Sequence, residues 1–557
     1  MVIDYKGVSF SFKDVRKSKR LKRFKLIIIF ILAALLTVVA WNFVEAGKIK
    51  KIQTLLLEGK EQEASTRFKN LEATFFHKNT KKELKAILCL FSDDLPQAQK
   101  MLTLLGGKTT AVESRKFLEY FSNNAQYPKL EIYNRYLEKY DKSEDLLFYH
   151  ALTATAFLHY QESTRIIARL SPAFKKTKEN ELSLINKINK ELAVGKINYI
   201  FDVNGKPLAY YDLFQKRTIS LIPGYNFDAF NGEFQKSITY YHLTLDMGIQ
   251  EKLHRLFQDF KGTFILFNTA DTSIAAAYSK KEPSWNGDAN PVFTETYEPG
   301  SIIKILTMFA HLKSLKPSIF PFQCKGLWEM NNNLLFHDWT THNQVNSYDE
   351  SLALSCNLAF AKMGIDLGFD ALKKVFNLFY FNSRNFTDLV IGFQTGTFKD
   401  KISSDFELAN LSVGLNLIST TTFHAGLISQ IISQNGSIYQ PYLIKSKKNL
   451  LNISFYNHSS GPLKGSSDNV IFDKIKNAMI AVVEHPNGTG RRAKSDSLKI
   501  AMKTGTSGDK KGGLDSVLTG FFPAEKPRYT FAFRLEGAGK AELKGALFLK
   551  DFLSAIR

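Results

Sequence analysis

Cysteine is scarce in this chain of 557 residues, which contains only Cys89, Cys324 and Cys356. Three cysteines cannot pair completely, and none of them stands in a CxxC or Cys/His spacing. We therefore predict three isolated thiols, with no disulfide framework and no zinc site. The segment FHDWTTHN (336–343) holds two histidines, but nothing near it in the sequence completes a metal site, and we interpret it as an ordinary loop. We expect neither a metal nor a cofactor.

Acidic residues are few relative to basic ones: 53 Asp and Glu stand against 74 Lys and Arg, a formal net charge of +21. Residues 1–25 hold nine of the basic residues and two Asp, so this N-terminal segment carries a third of the net positive charge. The rest of the chain is broadly basic. Nucleic acid, an anionic membrane surface and an anionic cell-wall polymer are all partners of suitable charge.

Charge is absent from one long apolar run, LIIIFILAALLTVVAWNFV (26–44). As a helix it extends over about 28 Å, close to the thickness of a bilayer core. The basic residues of the 1–25 tail precede it and predict a cytoplasmic N-terminus. A cleaved signal peptide is disfavoured, because the run is long and Trp41-Asn42-Phe43 is a poor cleavage site. We expect an uncleaved single-pass signal anchor in the cytoplasmic membrane, with the rest of the chain periplasmic or otherwise extracytoplasmic, which argues against nucleic acid.

Residues 48–195 have few β-branched runs and are rich in Leu, Lys, Glu and Ala at helical spacing, which predicts an all-α domain. Turn candidates begin at residues 57, 91, 121 and 158. Their spacing suggests stacked helical hairpins similar to tetratricopeptide repeats. A plain helical domain without repeats is the alternative. The region has no catalytic constellation, so we expect it to act as a docking surface or as a spacer.

Strand patterns appear from about residue 198. Alternating segments bounded by polar turns indicate strands at 198–211 (a hairpin around Asn204-Gly205), 238–246, 262–279 (a second hairpin), 497–507, 516–524 and 528–537. Helical patterns cover 301 to about 435 and the C-terminal segment 540–556. We predict that residues 198–557 form a mixed α/β domain with a central antiparallel sheet between helices.

Ser301 follows Pro299-Gly300 and precedes Lys304 by three residues, at the expected start of a helix. Residues i and i+3 share a helix face, with Cβ atoms about 5–6 Å apart, so Lys304 can reach the Ser301 hydroxyl. A lysine desolvated in a cleft has a lowered pKa and can accept a proton from serine. Ser-x-x-Lys alone is weak evidence, because a capping Ser followed by a surface Lys gives the same pattern.

Ser355 and Asn357 form a second motif, ahead of the helical segment LAFAKMG. A second hydroxyl at Ser355 can pass a proton between Lys304 and a leaving amine. The Asn357 amide can orient Lys304 and hold a substrate carbonyl. Cys356 lies between them and is expected to point elsewhere.

Lys503-Thr504-Gly505-Thr506 lies in a predicted strand. Lys503 supplies positive charge, the two threonines supply hydroxyls for a carboxylate, and Gly505 leaves room for a substrate backbone along the strand. The backbone N–H groups of Ser301 and Thr506 are candidate oxyanion donors.

The three motifs are 54 residues (Ser301 to Ser355) and 148 residues (Ser355 to Lys503) apart. In order and spacing they resemble the motifs of the penicillin-binding proteins, the acyl-serine transferases that cross-link peptidoglycan. The resemblance covers about residues 198–557 and extends to the segments FDVNGKPLA (201–209), LTLDMGIQ (243–250), LANLSVGLNLISTTTFHAGLISQIISQNG (408–436), NGTGRRA (487–493) and LTGFFPAEKPRYTFAF (518–533). No glycosyltransferase signature is found, so the resemblance is to monofunctional, class B-like members.

This resemblance implies a peptidoglycan D,D-transpeptidase acting through an acyl-enzyme on Ser301, which β-lactams acylate. It implies stem peptides of a lipid-linked precursor as substrates, and cell-wall synthesis proteins as partners of region 48–195. A D,D-carboxypeptidase, a β-lactamase or a β-lactam sensor are the enzymatic alternatives. A cell-wall assembly scaffold acting through the helical region is the non-enzymatic one.

Overall fold

The structure is a computed structural model that describes residues 3–5, 8–10, 12–74, 76–105, 114–234, 238–280, 290–314, 316–330, 334–383, 386–459, 461–463, 468–509 and 513–556. The side chains of residues 1–21, which include most of the predicted basic tail, lie outside this description. The chain divides into two compact units, residues 1–189 and 190–557.

The chain begins with a short antiparallel hairpin, and helices follow it. The elements up to residue 193 are β1 (Ile3–Tyr5), β2 (Val8–Phe10), α1 (Phe12–Leu57), α2 (Glu61–Glu72), α3 (Lys78–Phe91), α4 (Leu95–Leu104), α5 (Ser114–Asn123), α6 (Tyr127–Leu137), α7 (Glu144–Ala156), α8 (Tyr160–Ala168), α9 (Pro172–Thr177) and α10 (Glu179–Ala193). The prediction of an N-terminal helical region is therefore confirmed.

Helix α1 contains the apolar run 26–44 and continues past it without a break. Among the described residues it is the one helix long and apolar enough to cross a membrane, and its large apolar side chains in this run are exposed. A helix that leaves this much apolar surface uncovered needs an apolar surrounding. The structure thus contains the candidate membrane helix that the sequence predicts near the N-terminus.

Four tight turns join α1 to α2, α3 to α4, α5 to α6 and α7 to α8, near the four predicted turns. Each turn contains one residue with positive φ, namely Gly59, Asp93, Ala125 and Leu158. In each turn, the residue after the one with positive φ donates its N–H to the carbonyl five residues before it. In the first turn this bond joins Lys60 to Leu55 (2.8 Å). This bond closes the Schellman type of helix end. The four turns therefore share one geometry, at intervals of 34, 32 and 33 residues.

The second unit contains two larger sheets and several short ladders. Its strands are β3 (Lys196–Phe201), β4 (Pro207–Asp212), β5 (Arg217–Ser220), β6 (Tyr240–Leu243), β7 (Lys261–Asn268), β8 (Ile274–Lys280), β9 (Phe322–Cys324), β10 (Leu327–Met330), β11 (Leu334–His337), β12 (Asn343–Val345), β13 (Phe386–Asp388), β14 (Ile391–Phe393), β15 (Thr397–Phe398), β16 (Ile418–Ser419), β17 (Ile444–Lys448), β18 (Ser454–Asn457), β19 (Ala501–Asp509), β20 (Gly513–Phe522) and β21 (Tyr529–Glu536). Its helices are α11 (Asn231–Phe234), α12 (Met247–Leu256), α13 (Pro291–Thr294), α14 (Lys304–Lys313), α15 (Tyr348–Ala353), α16 (Asn357–Leu367), α17 (Phe369–Leu378), α18 (Asp405–Val413), α19 (Thr422–Ser433), α20 (Asn469–Glu484) and α21 (Ala546–Ile556).

The central sheet has five antiparallel strands in the order β19-β20-β21-β7-β8. Side chains alternate across it: Phe264 of β7 packs on Phe552 of α21, whereas Phe267 packs on Phe423 of α19. Gly426 of α19 faces Phe267 so closely that a Cβ would lie 2.8 Å from the ring. Helices thus cover both faces, and the predicted antiparallel sheet between helices is confirmed.

A second sheet, with the order β18-β17-β6-β3-β4-β5, carries the predicted hairpin around Asn204-Gly205. The buried Asp202 carboxylate closes its turn by accepting the N–H groups of Asn204 (2.8 Å) and Lys206 (2.7 Å). The expectation of a purely helical region after Ser301 is incomplete. Four two-stranded ladders interrupt it, formed by β9 to β16. Their strands are two to four residues long, too short for an alternating pattern to be recognised.

Candidate active site

Ser301 lies in a short 3-10 turn, Gly300–Ile303, that leads directly into α14. Gly300 has a φ of 54°, and its N–H donates to the carbonyl of Gly414 (3.0 Å). A Cβ on Gly300 would lie 2.8 Å from the carbonyl oxygen of Thr506. Glycine is therefore needed before the serine, because both the backbone conformation and the nearby strand leave no room for a side chain. Within the described residues the Ser301 hydroxyl makes no hydrogen bond, and it faces a cavity.

Lys304 is completely buried at the start of α14. Its Nζ donates to the carbonyl of Ser355 (2.7 Å), to Ser355 Oγ (3.2 Å) and to Asn357 Oδ1 (2.6 Å). No hydrogen bond joins it to Ser301 in the part of the chain that the structure describes, although the two share a helical turn. Burial lowers the pKa of Lys304 to about 8, although the charge of Asp338 acts in the opposite direction.

Ser355 lies between the end of α15 and the start of α16, with a φ of 55°. This left-handed conformation is uncommon for a residue with a side chain. It turns the chain sharply enough to aim both the carbonyl and the hydroxyl of Ser355 at Lys304. Asn357 begins α16, and its side-chain amide donates to the carbonyl of His337 (3.3 Å) while its oxygen accepts from Lys304.

Lys503 extends from β19, an edge strand of the central sheet, and is also completely buried. Its Nζ donates to Ser355 Oγ (2.9 Å) and to the carbonyl of Thr504 (2.8 Å). Burial, and secondarily the charge of Lys304, lowers the pKa of Lys503 well below its ordinary value. One hydroxyl therefore accepts hydrogen bonds from two buried amines that belong to different elements.

A cavity of about 270 Å³ opens over these groups. Its lining consists of Ser301, Trp339, Ser355, Asn357, Val413, Leu415, Thr489, Thr504, Thr506, Leu514, Lys540 and Glu542. Along one side runs β19, whose free edge presents alternate backbone N–H and C=O groups. A Cβ on Gly505 would lie 2.7 Å from the carbonyl oxygen of Pro299, so this glycine lets the strand approach the Ser301 turn.

The cavity contains residues that the sequence analysis did not single out. Trp339 is 48% exposed at its rim, and its indole N–H donates to the carbonyl of Leu354 (3.3 Å). Thr489 accepts from the Thr504 hydroxyl (2.7 Å). Thr489 lies in the segment 487–493, so its resemblance to a family segment was the one available signal.

Asp338 is a further buried group beside Lys304. Its Oδ2 accepts the N–H of Leu358 in the first turn of α16 (3.1 Å), and Oδ1 accepts the N–H of Trp339 (2.8 Å). Burial by itself raises the pKa of Asp338, but the neighbouring His342, the charge of Lys304 and the helix N–H together lower it well below the ordinary value. The carboxylate is therefore charged. The interpretation of 336–343 as an ordinary loop did not predict a buried charge beside Lys304.

The prediction of three isolated thiols is wrong for two of them. The sulfurs of Cys324 and Cys356 lie within 4.8 Å of each other and of an Asp338 carboxylate oxygen. Cys324 belongs to β9 and Cys356 precedes α16, so no spacing in the sequence indicated this contact. Cys356 does point away from the cavity that Ser355 and Asn357 line, as expected.

A family model for the penicillin-binding protein transpeptidase domain matches residues 262–551, more than half of the chain. The chain is 29% identical over 262 residues to stage V sporulation protein D of Bacillus subtilis, covering 45% of this chain and 40% of that protein. It is 22% identical over 351 residues to peptidoglycan D,D-transpeptidase MrdA of Haemophilus influenzae, covering 54% of this chain and 53% of that protein. The chain thus spans about half the length of the curated relatives it matches.

Solved structures share the fold of the second unit. The D,D-transpeptidase domain of a peptidoglycan glycosyltransferase from Eggerthella lenta superposes with a TM-score of 0.58 at 20% identity, covering 65% of this chain and 98% of that one. Penicillin-binding protein A of M. tuberculosis, as a ceftriaxone acyl-enzyme complex, superposes with a TM-score of 0.57 at 17% identity and with the same coverage of both chains. Together with the match over residues 262–551, the fold and the cleft that holds the three motifs establish that this chain belongs to the penicillin-binding protein transpeptidase family.

Proposed function

We propose that this chain is a serine D,D-transpeptidase that cross-links peptidoglycan stem peptides through an acyl-enzyme on Ser301. The observation that carries the proposal is the convergence of Lys304 and Lys503 on the Ser355 hydroxyl, at 3.2 and 2.9 Å, inside a cavity that Ser301 also lines. Relatives named peptidoglycan D,D-transpeptidase add support, and the family match over residues 262–551 includes all three motifs.

In the acylation step, Ser301 Oγ attacks the carbonyl carbon of the penultimate D-Ala and Lys304 accepts its proton. A lysine with a pKa of about 8 has a substantial neutral fraction near neutral pH, which is the form that accepts a proton. The C–N bond to the terminal D-Ala then breaks, and a proton relayed through Ser355 reaches the leaving amine. Bonds and protons balance without a cofactor.

The remaining cavity residues have binding roles in this proposal. The N–H groups of Ser301 and Thr506 stabilise the oxyanion, and losing one such donor typically slows a reaction about 10²–10³-fold. Thr504 and Thr506 bind the terminal carboxylate, Gly505 admits the substrate backbone beside β19, and Asn357 orients Lys304. A stem-peptide amine then attacks the acyl-enzyme and releases Ser301.

The proposed location is outside the cytoplasmic membrane, with the single helix around residues 26–44 as anchor and the N-terminus in the cytoplasm. The basic residues before the apolar run support this orientation. The substrate is then the stem peptide of a membrane-bound, lipid-linked precursor. The helical region is proposed to bind other cell-wall synthesis proteins.

Labelling with a fluorescent penicillin tests the nucleophile. We expect the wild type and Ser314→Ala, a control serine at the other end of α14, to be labelled, and Ser301→Ala to remain dark. Labelling of Ser301→Ala at the wild-type level would refute the assignment. Product analysis on peptidoglycan precursor then distinguishes cross-linked dimers, as proposed, from the trimmed monomers that a carboxypeptidase makes.

A further inference from the structure

A cavity of about 850 Å³ lies where the apolar run of α1 ends. Residues of α1 between positions 43 and 53 form one wall, and residues 77–80 at the start of α3 form the other. His77 Nε2 is 3.4 Å from the carbonyl oxygen of Asn42, so the start of α3 lies against the end of the run. Sites for small molecules have volumes of about 300–1,000 Å³. The cavity is therefore large enough for a ligand, and it adjoins the candidate membrane span.

The lining of this cavity is apolar near the run and basic beyond it. Phe43, which is 74% exposed, belongs to the run, whereas Lys50 and Lys78 are exposed amines on α1 and α3. None of the described lining residues is acidic. Glu45 is close by on α1, but it is buried against Lys81 (2.8 Å) and does not line the cavity. The cavity thus combines an apolar wall with a net positive charge.

Gln53 is a buried polar residue in the same lining, with 3% of its surface exposed. Among the described residues its side-chain amide has no hydrogen-bond partner. A buried amide without a partner is costly, and native structures usually supply one. Because Gln53 lines the cavity, a ligand with polar groups can provide that partner. This is evidence for an occupant that does not depend on the lysines.

Helix geometry places Lys50 at the depth of lipid headgroups. It follows Val44, the last residue of the run, by six residues, which is about 9 Å along the axis of α1. Helical side chains tilt toward the N-terminus of their helix, so Lys50 extends back toward the run. Headgroups occupy about 5–8 Å on each side of the apolar core of a bilayer. The amine therefore reaches the headgroup layer when the run lies in a membrane.

We propose that this cavity binds one anionic phospholipid. Its phosphate lies between Lys50 and Lys78, its acyl chains lie beside Phe43, and the polar end of its headgroup pairs with the Gln53 amide. Ammonium groups form charge-assisted hydrogen bonds with phosphate oxygens. A soluble anion is a poorer match, because it would leave the apolar wall uncovered. The inference rests on the proposed membrane anchor but not on the proposed transpeptidase reaction.

A lipid held in this way attaches α3 to the bilayer surface. Without it, α1 is the single described element that joins the helical unit to the candidate span. A second attachment through α3 limits how far the helical unit can tilt about the end of the run. The consequence for the chain is a fixed height of the helical unit above the membrane.

Lipid photo-crosslinking of the full-length chain tests the proposal. The chain is reconstituted in phosphatidylcholine vesicles with a trace of photoreactive phosphatidylglycerol or photoreactive phosphatidylcholine, each reactive beside its glycerol. Peptide mapping separates adducts at the cavity from adducts at the basic tail 1–25. We expect phosphatidylglycerol to label residues 43–53 and 77–80 about tenfold more than phosphatidylcholine. Equal labelling by the two probes would overturn the proposal, and it requires no variant to fold.

Charge-matched variants distinguish the cavity from general attraction to an anionic lipid. Lys50→Gln/Lys78→Gln should reduce labelling by the phosphatidylglycerol probe to the level of the phosphatidylcholine probe. The control Lys48→Gln/Lys82→Gln removes two exposed lysines of the same helices that do not line the cavity, and it should change labelling about twofold or less. Equal losses in the two variants would overturn the proposal. So would displacement of the phosphatidylglycerol probe by inorganic phosphate, since the cavity would then be a site for soluble anions.

Gln53→Leu gives a readout that a purely structural role of Gln53 would not give. Leucine in place of an unpartnered buried amide should raise the melting temperature in lipid-free detergent. Labelling by the phosphatidylglycerol probe should nevertheless fall about fivefold, because the headgroup loses a hydrogen bond. Unchanged labelling of this variant would overturn the proposal. Flotation with the vesicles checks the anchor separately, and penicillin labelling has no part in these readouts, so failure of the transpeptidase assignment would leave a positive lipid result standing.

Discussion

The chemistry of this protein depends on how single residues are buried. Lys304 and Lys503 are both fully buried, and each donates to the Ser355 hydroxyl. Two buried amines this close to one oxygen cannot both remain charged at low cost, because each charge is desolvated and repelled by the other. Burial lowers the pKa values of both lysines, and the charge of Lys304 lowers that of Lys503 further.

A pH profile tests the proposed base. Lys304 accepts a proton only as the neutral amine, and its pKa of about 8 means that this fraction grows as the pH rises. We expect the acylation rate with a fluorescent penicillin to rise about tenfold per pH unit below pH 7 and to level off above about pH 9. Stopped-time labelling between pH 6 and 9.5 measures it, with thermal melting at each pH as control. A flat profile would exclude Lys304 as the base.

Gly414 offers a second test at the residue scale. Its φ is +85°, and a Cβ there would lie 2.0 Å from the carbonyl oxygen of Gly300, the residue before Ser301. We expect Gly414→Ala to lower the free energy of unfolding by about 3 kcal/mol, from backbone strain and overpacking. It should also slow acylation about 100-fold by displacing the nucleophile.

Gly392→Ala is the matched control, because a Cβ at Gly392 meets nothing within 4 Å and its φ is not in the left-handed region. Thermal melting and penicillin labelling of both variants measure the difference. The interpretation fails if Gly414→Ala acylates at the rate of Gly392→Ala.

At the scale of elements, the helical region repeats one turn four times. Gly59, Asp93, Ala125 and Leu158 occupy the same left-handed position, which glycine favours and Asp tolerates, but Ala and Leu do not. Tertiary packing therefore imposes this turn on sequences that do not favour it. The strain at Ala125 and at Leu158 should be measurable.

Ala125→Gly is expected to raise the local free energy of unfolding of α5 and α6 by about 1 kcal/mol, because glycine removes the left-handed strain at φ 55°. Ala73→Gly is the control: Ala73 ends α2 in a right-handed conformation, so the same change should destabilise by about 0.5–1 kcal/mol. Hydrogen exchange of the full chain reports both. If both substitutions changed the free energy of unfolding in the same direction, Ala125 would not be strained.

At the scale of the whole molecule, the apolar run of α1 is a candidate membrane span, while the same helix continues into the packed helical unit. Glu45 lies just past the run and is buried, with the Lys81 ammonium 2.8 Å away. Its carboxylate also accepts the Thr74 hydroxyl (2.7 Å) and the N–H of Phe76 (3.3 Å). The exposed apolar run thus ends at Val44, and the packed helical unit begins at Glu45.

Removal of residues 1–40 should release the chain from the membrane and leave it folded, because the deletion stops short of Glu45. Fractionation and thermal melting measure this outcome. In that soluble chain, Glu45→Gln should lower the free energy of unfolding of the helical unit by about 2 kcal/mol, since Lys81 is left buried without its charge partner. Glu58→Gln, in the exposed Glu58–Lys60 pair, should leave the free energy of unfolding unchanged, because solvent screens that pair. Equal effects of the two substitutions would show that burial of Glu45 does not matter.

The sequence by itself determined the features that depend on local pattern. The apolar run, the helical hairpins, the strands of the central sheet and the order of the three motifs all leave signals within a few residues of themselves. The sequence also determined the family, because Ser301, Ser355 and Lys503 occur in a recognisable order. These conclusions agree with the fold and with the family match.

Only the tertiary structure decided which of these groups touch. It paired Lys304 with Ser355 and Asn357 instead of Ser301, and it brought Asp338 against the N-terminus of α16. It also placed Cys324 beside Cys356, across 32 residues that include short ladders without periodicity. Contacts of this kind depend on the path of the chain between two residues and on the side chains that pack against them. No local pattern encodes either quantity, so the contacts and the pKa shifts of the site emerge only when the chain is folded.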